Sequence, residues 1–320
     1  MLNFLKSKPN HCLGIDIGTD LLKIVELRKN KERLILENYG IAKPDLSQIN
    51  YNSSFRTSNL SVSELAGLIK NILFEAKIKT KKAVISLPIF SSFSVLITLP
   101  DLPDKELVAS IPFEVKKYIP VSMEEVVLDW SIVKKLENVQ TVTSDLKKTA
   151  VKKNEILVIA VPREIINKYV QVVKLVGLEL LSLEHESFSL ARVLIGNDPE
   201  TYLIVDIGSH GSSVIVVDGG FVVLNHILEK NNSDSVCDEI KRVVGIYKMK
   251  YNKNIKTCFM VGNVEDSKIE SFLPSCLVGV ETVIGNSFAR IEYPEALEVN
   301  IKKVEPLLAV ATGLAMRELN

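Results

Sequence analysis

The stretch Leu13–Asn30, LGIDIGTDLLKIVELRKN, sets an Asp-Ile-Gly turn between two apolar runs. A Gly followed by Thr offers backbone N–H groups and a hydroxyl to phosphate oxygens, yet Asp and Gly are equally at home in ordinary hairpin turns. The stretch therefore reads either as a phosphate clamp or as a plain β-hairpin. Around it, Cys12–Asp16, Leu21–Arg28 and Arg33–Lys43 alternate as strands and predict a three-stranded meander, with Asn30 in its second turn.

The same pattern returns at Leu203 as LIVDIGSHGSSVIVVDGGFVVL. Laid over the first copy without a gap, Asp16 falls on Asp206, Gly18 on Gly208, Thr19 on Ser209 and Val25 on Ile215, an offset of 190. A unit that occurs only twice at this distance predicts two lobes built alike, not a solenoid. Two such turns facing each other would hold a triphosphate between the lobes. Asp16 and Asp206 would hold a hydrated Mg²⁺ through its waters, as a hard cation prefers. Lys23 is either a phosphate contact or a solvated strand lysine, and His210 is a turn histidine with no partner in sight.

Between the copies, SVSELAGLIKNILFEAKI places Leu65, Leu68, Ile69, Ile72 and Leu73 at helical spacing after capping serines, and the strand KAVISLP ends at Pro88. From Ile89 to about Glu155 a strand, a Pro-flanked helix and further strands read as a small inserted α/β subdomain. Its polar run ENVQTVTSDLKKTAVKKNE is expected to be a mobile hairpin tip. PREIINKYVQVVKLVG is then an amphipathic helix stopped by Gly177. The expected organisation is a first lobe of residues 11–88 and 156–200, an insert of 89–155 and a second lobe of 201–320.

Composition narrows the function classes. The chain has 320 residues, 47% of them hydrophobic, with Lys+Arg and Asp+Glu both at 39, so no overall field favours nucleic acid, and no basic stretch is interleaved with aromatics. Cys12, Cys237, Cys258 and Cys276 are scattered without metal-ligand spacing, which predicts reduced thiols and no structural zinc. No apolar run approaches the ~18 residues of a spanning helix, and MLNFLKSKPN is too short in its apolar part for a signal peptide. A cytoplasmic protein with a frayed N-terminus is the expectation.

With both turns placed, the chain resembles the actin-like ATPase superfamily, and within it the PilM family of type IV pilus assembly, relatives of the division protein FtsA. Four stretches carry the resemblance: LGIDIGTDLLKIVEL, LITLPDLPDKELVASIPFEVKKYIPVSMEEVVLDWSIV, ILVIAVPREIINKYVQVVKLVGLELLSLEHESFSLARVL and PLLAVATGLAMREL. The second weighs most, because its acidic helix running into KYIP and EEVVLDW is similar to the small subdomain peculiar to PilM. The resemblance implies an α/β fold of the actin-like, ribonuclease H-like type, with two lobes and the inserted subdomain. It also implies ATP and Mg²⁺ as ligands.

Carried over by motif, Asp16, Gly18, Thr19, Asp20 and Lys23 match the first phosphate clamp, and Asp206, Gly208, Ser209, His210 and Gly211 match the second. Glu186 matches an acidic or amide position near the γ-phosphate, where it would orient water, although a carboxylate at a helix start also suits the helix dipole. Gly262 and Asn263 stand where the family has the adenosine loop. The implied partners are the N-terminal cytoplasmic peptide of a PilN-like inner-membrane protein, which would recruit the chain to the inner face of the membrane, and pilus or secretion motor components; self-association is left open.

The chain departs from the family at three places. Leu21 and Leu22 replace serine-like residues of the first clamp, and Asn263 replaces a glycine of the adenosine loop. One amphipathic helix, with Val236, Ile240, Val243, Val244 and Tyr247 on its apolar face, stands where most of a fourth subdomain is expected to be missing. The reading is therefore a scaffold with a degenerate ATP site and at most weak ATPase activity. The alternatives are a component like GspL of type II secretion and a small-molecule phosphotransferase of the same superfamily.

Overall fold

A computed structural model of the chain describes residues 9–44, 59–142, 148–209, 211–228, 233–264 and 269–320. The opening meander is β1 (His11–Ile17), β2 (Leu22–Asn30) and β3 (Arg33–Ala42), all antiparallel neighbours. Helix α1 (Val62–Glu75) follows, its start fixed by a capping box in which Ser61 Oγ accepts from the Glu64 N–H and the Glu64 carboxylate accepts from the Ser61 N–H. It buries Leu65, Ile69, Ile72 and Leu73, and leads to β4 (Lys82–Leu87), parallel to β1. Helix α3 (Arg163–Val176) ends at Gly177, whose φ of 84° is the left-handed conformation that stops a helix. It delivers β8 (Glu179–His185), parallel to β4, and α4 (Glu186–Leu194).

The insert is built from β5 (Phe93–Pro100), α2 (Asp104–Val115), β6 (Val126–Val142) and β7 (Lys148–Pro162), giving an antiparallel sheet in the order β5-β7-β6. Its end differs from the sequence expectation: Ile156–Pro162 belong to β7, within this sheet, and not to the resumed first lobe. The physical reason lies in the two faces of β7. Ile156, Val158 and Ala160 point into the insert's own core with Leu107, Ile111 and Val115 of α2, while Leu157, Ile159 and Val161 join the main core. A strand buried on both faces reads as a continuous apolar run, ILVIAV, which carries no sign of which sheet owns it. The tip of the β6–β7 hairpin, residues 143–147, where mobility was expected, lies outside the described residues.

The second lobe repeats the meander as β9 (Thr201–Ile207), β10 (Ser212–Asp218) and β11 (Phe221–Leu228). One helix, α5 (Ser233–Tyr251), separates β11 from β12 (Thr257–Gly262), and α6 (Ile269–Cys276) precedes β13 (Glu281–Ile284). The sheet order is β11-β10-β9-β12-β13. Helix α5 also meets the insert, where Glu155 accepts from the Tyr251 hydroxyl at 2.9 Å and pairs with Lys250 at 2.7 Å.

Two expectations are corrected here. Cys237 and Cys276 are not separate thiols: α5 and α6 bring their Cα atoms to 5.4 Å and the sulfurs are bonded, a proximity invisible at a separation of 39 residues. Cys12 and Cys258 remain free and buried. The stretch after β13 also does not stay with the second lobe. β14 (Ile291–Glu292) pairs with β3, extending the first sheet to β14-β3-β2-β1-β4-β8, and after α7 (Glu298–Val304) the closing helix α8 (Ala309–Arg317) packs on β1, β2, β4 and α4.

Close approach of α8 to β1 depends on Gly14, where a Cβ would collide with the carbonyl oxygen of Ala311 and the amide of Ala315. Both obstacles are backbone and cannot rotate away. Gly14→Ala is therefore expected to destabilise by about 3 kcal/mol. Gly67→Ala, in α1 where nothing lies within 4 Å of the added methyl, is expected to be neutral or to stabilise by up to about 1 kcal/mol. Urea unfolding of the two variants reads both.

Candidate functional site

The two hairpins face each other across one cleft, lined by Asp16, Gly18, Thr19, Asp20, Leu21 and Lys23 from the first and by Asp206, Gly208, Ser209, Gly211 and Ser213 from the second, with Glu186, Gly262 and Asn263. Apart from His210, which lies outside the described residues, every candidate residue from the sequence reaches this cleft. The internal repeat is exact in its hydrogen bonding: the Gly18 N–H donates to Leu21 O at 3.1 Å, and the Gly208 N–H donates to Gly211 O at 3.0 Å. Strand pairing agrees, with Asp16 opposite Lys23 and Asp206 opposite Ser213. Ser213, missed in the sequence, is thus the counterpart of Lys23 at the same offset of 190.

Lys23 is resolved by its partner. Its side chain is 12% exposed and its Nζ lies 2.6 Å from Asp16 Oδ2, so it is a cleft ion pair and not a solvated strand lysine. Burial works against the ammonium, yet Asp16 in contact, with Asp206 and Glu186 nearby, holds its pKa above the ordinary value. Ser86 fixes the other carboxylate oxygen, donating to Asp16 Oδ1 at 3.2 Å while accepting from the Ile17 N–H at 3.0 Å. The two leucines of the opening stretch also separate. Leu22 is fully buried in the core and takes no hydroxyl's place in the cleft, whereas Leu21 lines it.

Asp206 faces Ser213 and not a lysine, and Ser213 Oγ is buried with no hydrogen-bond partner among the described residues. Burial, reinforced by the Asp16 carboxylate against the pull of Lys23, pushes Asp206 up to about 6. Glu186 opens α4, capped by His185, and its Oε2 accepts from the Ile89 N–H at 3.2 Å. Burial first, then the Asp16 and Asp206 carboxylates, hold Glu186 well above the carboxylate range. His185 beside it is pushed down to about 4 by burial and is a neutral ring bonded to Ser187 and Ser92. The floor of the cleft requires Gly262: its φ is 81°, and a Cβ would collide with Ile207 O and the Asp206 carboxylate. Asn263 follows with its N–H donating to Ile207 O at 2.7 Å.

The donor set suits phosphate: the Thr19 and Ser209 hydroxyls, the Lys23 ammonium and the Ser213 hydroxyl, which has no hydrogen-bond partner among the described residues. Two carboxylates on one cleft suit a cation held through water, and among the described residues no three acidic, His or Cys side chains converge closely enough to hold one directly.

A second groove, of about 360 Å³, was not foreseen in the sequence. It runs between the insert (Asp129, Trp130, Ser131, Ile159), helix α4 (Phe188, Ala191, Arg192) and the β10–β11 turn (Gly220, Phe221). The buried Glu184 carboxylate takes two bonds from Arg192, at 2.7 and 2.6 Å, and one from Arg317 at 3.0 Å. Both guanidiniums are held on the groove wall. No local motif announces it, because five separated segments meet there.

Asp206 makes stability fall with pH. Its folded pKa of about 6 lies above the ordinary 3.8, so its contribution is fully present below 3.8 and is lost as pH rises through about 6; about 3 kcal/mol is at stake. Asp206→Asn is expected to raise Tm by about 4 °C at pH 7.5 and to leave it unchanged at pH ~4. Thermal unfolding of both proteins across that pH range checks the sign.

Residues 14–250 match the model of the family described as type IV pilus assembly protein PilM. Among solved structures, a PilM-PilN type IV pilus biogenesis complex is similar over 98% of this chain and 100% of that chain, at 20% identity and a TM-score of 0.78. The ethanolamine utilization protein EutJ from Carboxydothermus hydrogenoformans is similar over 96% and 90%, at 13% identity and a TM-score of 0.52. A Bacteroides thetaiotaomicron protein described as having an actin-like ATPase fold is similar over 94% and 98%, at 13% identity and a TM-score of 0.48. The likeness to the first of these structures shows that the chain shares its α/β fold, the actin-like ATPase fold. No described helix is long and apolar enough to cross a membrane. The family match, spanning the first clamp, the insert and the second clamp, shows that the chain belongs to the PilM family of type IV pilus assembly proteins.

Proposed function

We propose that the protein is a scaffold of type IV pilus assembly that works on the cytoplasmic side of the inner membrane and docks the N-terminal cytoplasmic tail of a PilN-like protein. Family membership supports the assembly role, and the observation that carries the docking reading is the groove between insert and first lobe. Trp130, Phe188 and Phe221 offer apolar walls, and Arg192 and Arg317, already oriented by Glu184, offer donors to the carbonyls of an extended peptide. Guanidiniums fixed in advance lose little freedom on binding.

ATP with Mg²⁺ is the second ligand that this reading assigns to the cleft. The Gly211 amide, the hydroxyls of Thr19, Ser209 and Ser213, and Lys23 would hold phosphate. Asp16 and Asp206 would hold the metal through water, and Gly262 and Asn263 would meet the nucleoside. Three features support weak binding and slow turnover. Leu21 brings an apolar side chain to the phosphate side, Asn263 carries a Cβ beside the nucleoside loop, and Glu186 is biased toward its neutral form. A neutral carboxyl donates a hydrogen bond but is a poor group for polarising an attacking water. One helix, α5, between β11 and β12 leaves little to cover a nucleoside, which supports the reading of a shortened second lobe.

Calorimetric titration with a synthetic PilN-like tail peptide from the same genome tests the docking reading. Binding is expected, weakened at least tenfold by Trp130→Ala and by Arg192→Ala. A peptide that fails to bind with or without ATP and Mg²⁺ would sink the proposal.

A further inference from the structure

The cleft is narrow. Its cavity measures about 70 Å³, against the roughly 300–1,000 Å³ of ordinary small-molecule sites. Thr19 Oγ1 of the first clamp lies only 3.8 Å from the position a Cβ would take on Gly208 of the second, so the clamps stand near van der Waals distance there. A triphosphate needs them further apart.

Phe90 lies where the lobes meet. It is the one aromatic side chain among the described residues lining the cleft, and it belongs to the short turn Ile89–Ser91 that leads from β4 into the insert. Its ring rests on the bare Cα of Gly211, because a Cβ there would lie 2.9 Å from both Cε1 and Cζ. The turn behind it is held from two sides. The Ile89 side chain is 1% exposed with its N–H on Glu186, and Ser92 Oγ lies 3.0 Å from His185 Nε2 while donating to the carbonyls of Pro88 and Ile89. Residues fixed on both flanks leave Phe90 no slack to withdraw unless the turn shifts or its own rotamer changes.

We propose that Phe90 is an interlobe latch: it spans from the first lobe to Gly211 of the second clamp, keeps the cleft closed, and must be displaced for a nucleoside triphosphate to enter. This rests on the reading of the cleft as a nucleotide site. The contact replaces a polar, solvated gap with an apolar one, so the closed state is favoured when no ligand is present. A ligand that binds only the open state has its affinity reduced by the fraction of molecules that are open.

The test uses the full chain, as wild type, Phe90→Leu and Phe90→Ala. Amide hydrogen exchange over residues 208–213 without nucleotide is expected to accelerate at least fivefold in Phe90→Ala. Phe90→Leu, which keeps an apolar contact and guards against a variant that fails to fold, should lie between. ATP affinity with Mg²⁺ is expected to rise at least fivefold in Phe90→Ala by calorimetry. Unchanged exchange at the second clamp in a folded variant, or weaker ATP binding, overturns the latch, the latter by making Phe90 a ligand contact. Faster exchange with no ATP binding by any of the three proteins upholds the interlobe contact and rejects the nucleotide reading, so the two failures are told apart.

Discussion

Everything at the centre of this molecule is organised by the pairing of Asp16 with Lys23 across β1 and β2. The two residues are direct cross-strand partners, so strand register alone brings the charges together. Both are largely out of water, where an unpaired charge would be prohibitive, and the 2.6 Å contact and the Ser86 hydroxyl on the other carboxylate oxygen compensate them. The pair anchors the end of the hairpin whose turn forms the first clamp. It also places a fixed positive charge at the only point where the cleft needs one.

The second lobe repeats the hairpin without the lysine. Asp206 faces Ser213, a hydroxyl that cannot neutralise it, and the result is a carboxylate pushed up to about 6 beside Glu186, held higher still. The internal repeat is thus electrostatically one-sided. One carboxylate is held in an ion pair with Lys23, while the other two gain most from a cation arriving with a ligand, since added positive charge favours their ionised forms. A cleft so arranged responds to the charge of what enters it.

What the sequence made legible follows from distance along the chain. The clamps were readable because a hairpin is local: turn, register and facing residues all fall within about a dozen positions, and the second copy turned a common motif into a specific one. The strand Ile156–Pro162 was misassigned because both its faces are buried, against α2 on one side and the main body on the other. The return of β14 and α8 to the first lobe and the Cys237–Cys276 bond were hidden because each depends on packing between segments far apart in sequence. Leu22 looked like a lost hydroxyl because sequence spacing does not say which strand face a residue takes; a single register step sends Leu21 to the cleft and Leu22 to the core.

Helix α4 gives these local features a shared axis. Its first residue, Glu186, faces the cleft between the two hairpins through the Ile89 N–H, while Phe188, Ala191 and Arg192, within the next two turns, wall the groove beside the insert. The α8 carbonyl of Gly313 takes a further bond from Arg192 at 2.9 Å, and a Cβ on Gly313 would collide with the backbone of Ser189, so α4 is packed too tightly to bend between the two sites. Glu186 and the groove wall therefore belong to one tightly packed helix. The insert, whose entry turn contacts the same Glu186, forms the opposite wall. Both sides of the groove are thus tied to one carboxylate in the cleft.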